Sequence, residues 1–365
     1  MNVEKTTKPQ TPKPKKSLKK WVKEHLLAIV LITLSIVVAT VFIVAIMSVH
    51  YDSSISQMNT KKKPEPPKKY YSALTGMEVE NEAATKQAVT GVMIENSPAA
   101  RPQSGLKQAG VVYEAVAEGG ITRFMALYQG NKPGTIGPVR SLRLYYLSWA
   151  APYQASIAHV GGSGNALAHV RNGNYRDIDQ FFNAGAYWRS TDRYAPHNVY
   201  TSGEKLDQLN NSKNYTTSNF TSFARSDEKA VDAPNATSIS VNFSSPLYAT
   251  SYAYDKASNS YLRSLAGVPH NDREAGQIAP KTIVVLEAAT ELRANNADGY
   301  EDIITTGKGK AYIFQNGTVA EAIWQKDNFD APLKLQSGEG KDIPLNRGQT
   351  WIATFTPGRG SVSWQ

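Results

Sequence analysis

The feature that most constrains this chain is the run from Leu26 to Met47, 22 residues without a charge and dominated by Leu, Ile and Val. At about 1.5 Å per residue, a helix of that length crosses a bilayer core of about 30 Å. A cleavable signal would have a shorter apolar core followed by a small-residue cleavage site. Met47-Ser48-Val49-His50-Tyr51-Asp52 offers none, so the expectation is an uncleaved transmembrane helix over 26–47. Lys5, Lys8, Lys13, Lys15, Lys16, Lys19, Lys20 and Lys23 precede it. The positive-inside rule therefore places the basic tail, 1–25, in the cytoplasm and everything after Met47 outside the cell membrane. Residues 48–72 read as a Lys/Pro-rich tether, because KKKPEPPKK at 61–69 cannot form a helix and has no core-forming residue.

The tail also explains the formal net charge of +9. Of the 40 basic and 31 acidic residues, 13 and four lie within 1–72, which leaves 27 of each beyond. A folded region without net positive charge lacks the footprint of a nucleic-acid binder. The chain has no cysteine, which excludes thiol nucleophiles and Cys-ligated metals and requires the outer region to rely on its core.

Polar and apolar groups are most concentrated in Glu118–Arg143, EGGITRFMALYQGNKPGTIGPVRSLR. Ile121–Tyr128 has the apolar and aromatic content of a strand. After the Gly137-Pro138 turn, Ser141 reads as an N-cap, with Leu142, Tyr145, Tyr146 and Trp149 on one helical face. That reading puts Arg140 and Arg143 at a helix N-terminus, where free N–H groups and guanidinium forks suit an anion. The alternative is that these arginines pair with Glu114, Glu118 or Asp179. Further strands are expected at Gly91–Asn96, Val111–Val116 and Ala155–Val160. The last runs into Gly161-Gly162-Ser163-Gly164, a strand-to-helix turn whose N–H groups could cradle an anion. Ser163 with His159 does not form the Gly-x-Ser-x-Gly elbow of a serine hydrolase.

RSTDRYAPHNVY at 189–200 places Arg193, His197 and Asn198 in a Pro-fixed loop, a setting that often carries binding groups. Thr201 and Glu204 have capping-box spacing, so a helix should begin there. A polar stretch over 210–235 then separates an N-terminal part from a mainly β part, in which Asn316-Gly317 signals a hairpin. His270 and Asp272 in PHND could exchange protons or bind a metal, but no further histidine follows to complete a ligand set.

Several stretches, VMIENSPAARPQSGL (92–106), VVYEAVAEGGITRFMALY (111–128), IGPVRSLR (136–143), AHVGGS (158–163), YWRSTDRYAPHNVYTS (187–202), PHND (269–272) and GQTWIATF (348–355), resemble the YerB-like family of bacterial extracytoplasmic lipoproteins. The resemblance covers roughly 74–365. It implies an α/β class ectodomain of two domains, a mixed α/β one at 73–225 and a smaller, mainly β one at 237–365. It brings no catalytic residue. The chain departs from the family's lipoprotein pattern, with a transmembrane helix in place of the lipobox cysteine. Three functions are compatible with these residues. The first is an envelope module binding an anionic or polyhydroxylated wall component through Arg101, Glu118, Arg123, Arg140, Ser141, Arg143, His159, Gly161, Gly162, Ser163, Arg193, His197 and Asn198. The second is a hydrolase using Glu95 or Glu118 with His159 or His197. The third is a scaffold for an envelope protein. No catalytic assignment, cofactor or metal is expected.

Overall fold

The computed structural model describes residues 17–58, 68–292 and 301–365; residues 1–16 of the basic tail and 59–67 of the expected tether lie outside them. The chain divides into two compact units, Met1–Lys68 and Lys69–Gln365. In the first, α1 runs over Leu18–Met58 and encloses the 26–47 run. Its span Leu18–Asp52 is long and apolar enough to cross a membrane. Helix therefore extends beyond Met47 into the start of the expected tether.

The second unit is built on one ten-stranded sheet. In chain order its strands are β1 (Val89–Glu95), β2 (Val111–Glu118), β3 (Ile121–Gln129), β4 (Ser156–His159), β5 (Arg176–Asp179), β6 (Thr282–Glu287), β7 (Gly307–Gln315), β8 (Thr318–Lys326), β9 (Lys334–Gln336) and β10 (Thr350–Phe355). They lie in the order β9-β8-β7-β6-β10-β2-β3-β1-β4-β5. Strand β10 is inserted parallel between β2 and β6, so residues from the two ends of the unit share one ladder. The pairings point β1, β2, β4, β5, β6 and β10 the same way, with β3 and β7 antiparallel to them.

Both faces of β1–β4, β6 and β10 are buried, which is why most of these strands read as unbroken apolar runs, whereas β7 and β8 alternate buried and exposed residues. Met93, Tyr113, Met125, Ile157, Val284 and Ile352 face one core. That core includes Tyr145, Tyr146 and Trp149 of α2 (Leu144–Ala150) and Ala166 and Val170 of α3 (Gly164–Asn172). Their neighbours Val92, Val112, Phe124, Ala158, Val285 and Trp351 face the other core. There they meet Leu206 of α4 (Gly203–Ser212) and Ile239, Val241, Tyr252 and Tyr261 of a second, five-stranded antiparallel sheet. The result is three layers. The Asn-Gly signal is a two-residue hairpin turn, with Gln315 paired to Thr318 and Asn316 and Gly317 at φ 59° and 79°.

Two local expectations are corrected. Helix α2 begins at Leu144 with Arg143 at its N-cap, so Ser141 does not cap it. Helix α4 is capped by Ser202, whose Oγ accepts from the Lys205 N–H, so the Thr201–Glu204 capping box does not form.

Candidate functional site

The carboxyl ends of β1, β2, β4, β5 and β10 lie along one edge of the sheet. Beside β1 the strand order reverses, because the chain continues to β2 and β3 on one side and to β4 and β5 on the other. Crevices at such switch points are where open α/β sheets bind ligands. Segment 137–143 lies across this edge. Arg140 N–H donates to the Met93 carbonyl, the Arg140 carbonyl accepts from Val160 N–H, and Leu142 N–H donates to the Gly161 carbonyl. A Cβ on Gly162 would stand 2.9 Å from the Leu142 carbonyl, which is why only glycine fits there.

Three clusters result, and they sort the residues selected from sequence. In the first, Glu118 accepts from Arg123 Nη2 and Arg143 Nη2, both at 2.6 Å. The same two guanidiniums also donate to the Ser141 and Leu142 carbonyls at 2.9 Å. Burial favours the neutral carboxyl, but the two arginines outweigh it and hold Glu118 below its ordinary pKa. Arg123 and Arg143 are thus structural partners of Glu118, and Ser141 contributes only its backbone carbonyl. With Arg143 turned to Glu118 and α2 only seven residues long, the expected anion site at that helix N-terminus is not formed.

In the second, His159 is fully buried, with Nδ1 at 2.8 Å from the Gly161 carbonyl and Nε2 at 3.0 Å from Asp177. Burial favours the neutral Asp177 carboxyl, but His159, the Asp179 N–H and Arg171 together hold it below its ordinary range. Asp179 accepts from Gly161 N–H and from Arg171 Nη2. Ser163 N–H donates to the Leu142 carbonyl, and the Ser163 hydroxyl donates to Asn165. Two of the turn's N–H groups, those of Gly161 and Ser163, are therefore spent inside the protein, and the Ser163 hydroxyl goes to Asn165.

The third lies at the end of β1. Glu95, whose side chain is 5% exposed, accepts at Oε1 from Ser97 Oγ and from His197 Nδ1, both at 2.9 Å. Its Oε2 is buried with no partner. Ser97 and Glu95 both meet His197 at the same ring nitrogen, so the three do not form a relay in which the base stands between nucleophile and acid. Arg140 Nε stands 3.6 Å from Glu95 Oε1, beyond hydrogen-bond length. Arg101, Arg193 and Asn198 hold the surrounding loops. Arg101 donates to Asn96 and to the Leu247 carbonyl, and Arg193 to the carbonyls of Ala99 and Pro102. Asn198 donates to the carbonyls of Ser190 and Arg193 and accepts from Arg189.

Sequence reasoning missed Ser97 and a buried network behind the site. Fully buried Glu114 accepts from Arg263 Nη2 and Trp351 Nε1 at 2.9 Å. Arg263 Nε donates to His270 Nδ1, and His270 Nε2 faces Gln103 Oε1 at 3.0 Å. Gln103 Nε2 returns to the Glu95 carbonyl. Burial first, then Arg263 and Arg101, push His270 well below its ordinary pKa, so the ring is neutral and its Nδ1 accepts from Arg263. Asp272 caps its turn, accepting from the N–H groups of Lys107, Glu274 and Ala275. Among the described residues no group of three His, Asp or Glu could hold a metal. The available signal for Arg263 was its parity with inward-facing Tyr261 and Leu265 in one strand.

A long apolar N-terminal helix followed by a mixed α/β unit with a mainly β C-terminal part defines the class to which this chain belongs. Residues 74–216 match the "Protein of unknown function (DUF3048) N-terminal domain" and 239–352 the "Protein of unknown function (DUF3048) C-terminal domain". The chain belongs to this YerB-like family. It is 34% identical over 295 residues, 79% of its length and 87% of the relative's, to "Putative lipoprotein YerB" of Bacillus subtilis (strain 168). The crystal structure of YerB protein from Bacillus subtilis matches with a TM-score of 0.72 and 30% identity, over 80% of this chain and 99% of that one. The apolar helix and the lipoprotein relative together point to membrane association.

Proposed function

We propose that this protein is a single-pass, extracytoplasmic binding module with its N-terminus in the cytoplasm, and that it holds an anionic component of the cell envelope at the end of β1. One observation carries this reading. Among the arginines selected from sequence, Arg140 has a guanidinium that makes no hydrogen bond among the described residues, although its side chain is only 26% exposed. Its neighbour Glu95 holds His197 through Nδ1, which leaves Nε2 as the ring nitrogen available to a ligand. A guanidinium fork beside an oriented imidazole suits a phosphoryl or carboxylate group.

The test is thermal unfolding of the detergent-solubilised full chain with inorganic phosphate. At a hundredfold excess over Kd, one bound anion stabilises by about 2.7 kcal/mol. For a folded unit of about 300 residues that is about 4 °C. Arg140→Gln should unfold within about 1 kcal/mol of the native protein without phosphate, and should lose the phosphate increment. A full increment in Arg140→Gln, or none in the native chain, refutes the reading. A second reading, an envelope hydrolase, is favoured by the Glu95–His197 contact. It requires turnover of wall polymer that Glu95→Gln and His197→Gln both abolish.

A further inference from the structure

Two strands along the same edge, the ends of β2 and β10 frame a cavity of about 500 Å³ that none of the residues at Arg140 enters. Its volume lies within the range of about 300–1,000 Å³ that holds small ligands. Four hydroxyl side chains line it: Ser244, Thr290, Thr354 and Thr356. Thr354 is 1% exposed, and its Oγ1 is buried without a hydrogen-bond partner. A buried hydroxyl left unsatisfied is costly, and in a cavity wall it marks where a ligand group can repay that cost. Glu118 also lines the cavity, but both its oxygens are engaged by Arg123 and Arg143, so it does not call for a cation. Arg359 on the wall carries the opposite sign, and Val116, Phe243 and Ile303 supply apolar surface.

Hydroxyls that both donate and accept, balanced charge and an apolar wall match the alternating C–H and O–H surface of a sugar ring. We infer that this cavity is a saccharide-binding site, separate in place and chemistry from the anion site at Arg140. The Gly119-Gly120 turn at its rim needs no ligand to explain it, since both glycines have positive φ, 57° and 78°, in the tight turn joining β2 to β3.

The test uses the full chain in lauryldimethylamine oxide, which carries no sugar headgroup, with maltose and N,N′-diacetylchitobiose as probes in calorimetric or saturation-transfer NMR titrations. At least one should bind, and Thr354→Val should weaken it tenfold or more. Thr354→Val in the free protein should melt at or above the native temperature, because it removes the unsatisfied hydroxyl without changing side-chain volume. Thr290→Val provides a second variant with the same expectation for affinity should Thr354→Val fold poorly. Arg140→Gln should leave saccharide affinity unchanged and affect only phosphate, which separates failure here from failure of the anion site. Binding of neither sugar, or unchanged affinity in both valine variants, would overturn the inference and leave Thr354 satisfied by water only.

Discussion

Replacing Arg263 with Met tests the buried network behind the site most directly. Arg263 and Glu114 are both fully buried and meet at 2.9 Å, and Arg263 also donates to the Tyr252 hydroxyl and to His270. Its guanidinium lies 4.3 Å from the centre of the Trp351 ring. Methionine retains much of the stem's volume, so packing loss is small and the charge decides the outcome. Glu114 would be left with the Trp351 N–H and Thr122 hydroxyl alone. Breaking a buried ion pair on one side costs about 3–5 kcal/mol. At about 2.1 cal/mol/K per residue, a unit of about 300 residues loses roughly 1.6 °C per kcal/mol. Arg263→Met should therefore lower Tm by about 5–8 °C in calorimetry. Burial already raises the Glu114 carboxyl, and Arg263 opposes that shift. Without Arg263 the folded pKa rises further, so the folded state binds the extra proton and the deficit should shrink as pH falls towards 5. Adding Glu114→Leu should restore most of the lost stability, because the uncompensated charge is gone. A single variant within about 1 kcal/mol of the native protein, or a double variant no better than the single, would refute the reasoning.

Arg143→Gln should cost about 2–4 kcal/mol and be insensitive to phosphate, because it strips one of two guanidiniums from partly buried Glu118; urea titration beside Arg140→Gln checks the contrast. Lys326 is fully buried, donates to the carbonyls of Asn328, Phe329 and Ala331, and burial pushes its pKa down to about 8. The unfolded chain then binds more protons than the folded one between about pH 8 and 10.5, so stability relative to Lys326→Met should rise by about 1.6 kcal/mol from pH 8 to 9.5. A flat difference across that window would contradict it. Externally added protease should remove the folded unit from intact cells and leave a membrane fragment ending in the Lys/Pro-rich segment; full protection would reverse the proposed topology.

The sequence by itself determined the elements. The 26–47 run lies inside one helix, and the strands expected at Val111–Val116 and Ile121–Tyr128 form as Val111–Glu118 and Ile121–Gln129. The Asn316-Gly317 turn was likewise legible, because positive φ is a local property that few residues tolerate. The edge on which Glu95, Glu118, Arg140 and His197 collect was anticipated only as separate polar loops. Tertiary structure alone decided which carboxylate each arginine meets. Arg123, Arg140 and Arg143 look alike in sequence, but β3 and α2 direct the first and third onto Glu118, while 137–143 crosses β1 and leaves Arg140 beside Glu95. The parallel insertion of β10 was equally invisible, although it brings Trp351 onto Glu114. Local propensity acts over a few residues along the chain. Charge pairing and strand order depend on which distant segments share a sheet, and contacts such as Arg263 to Glu114, 149 residues apart, exist only once that sheet has formed.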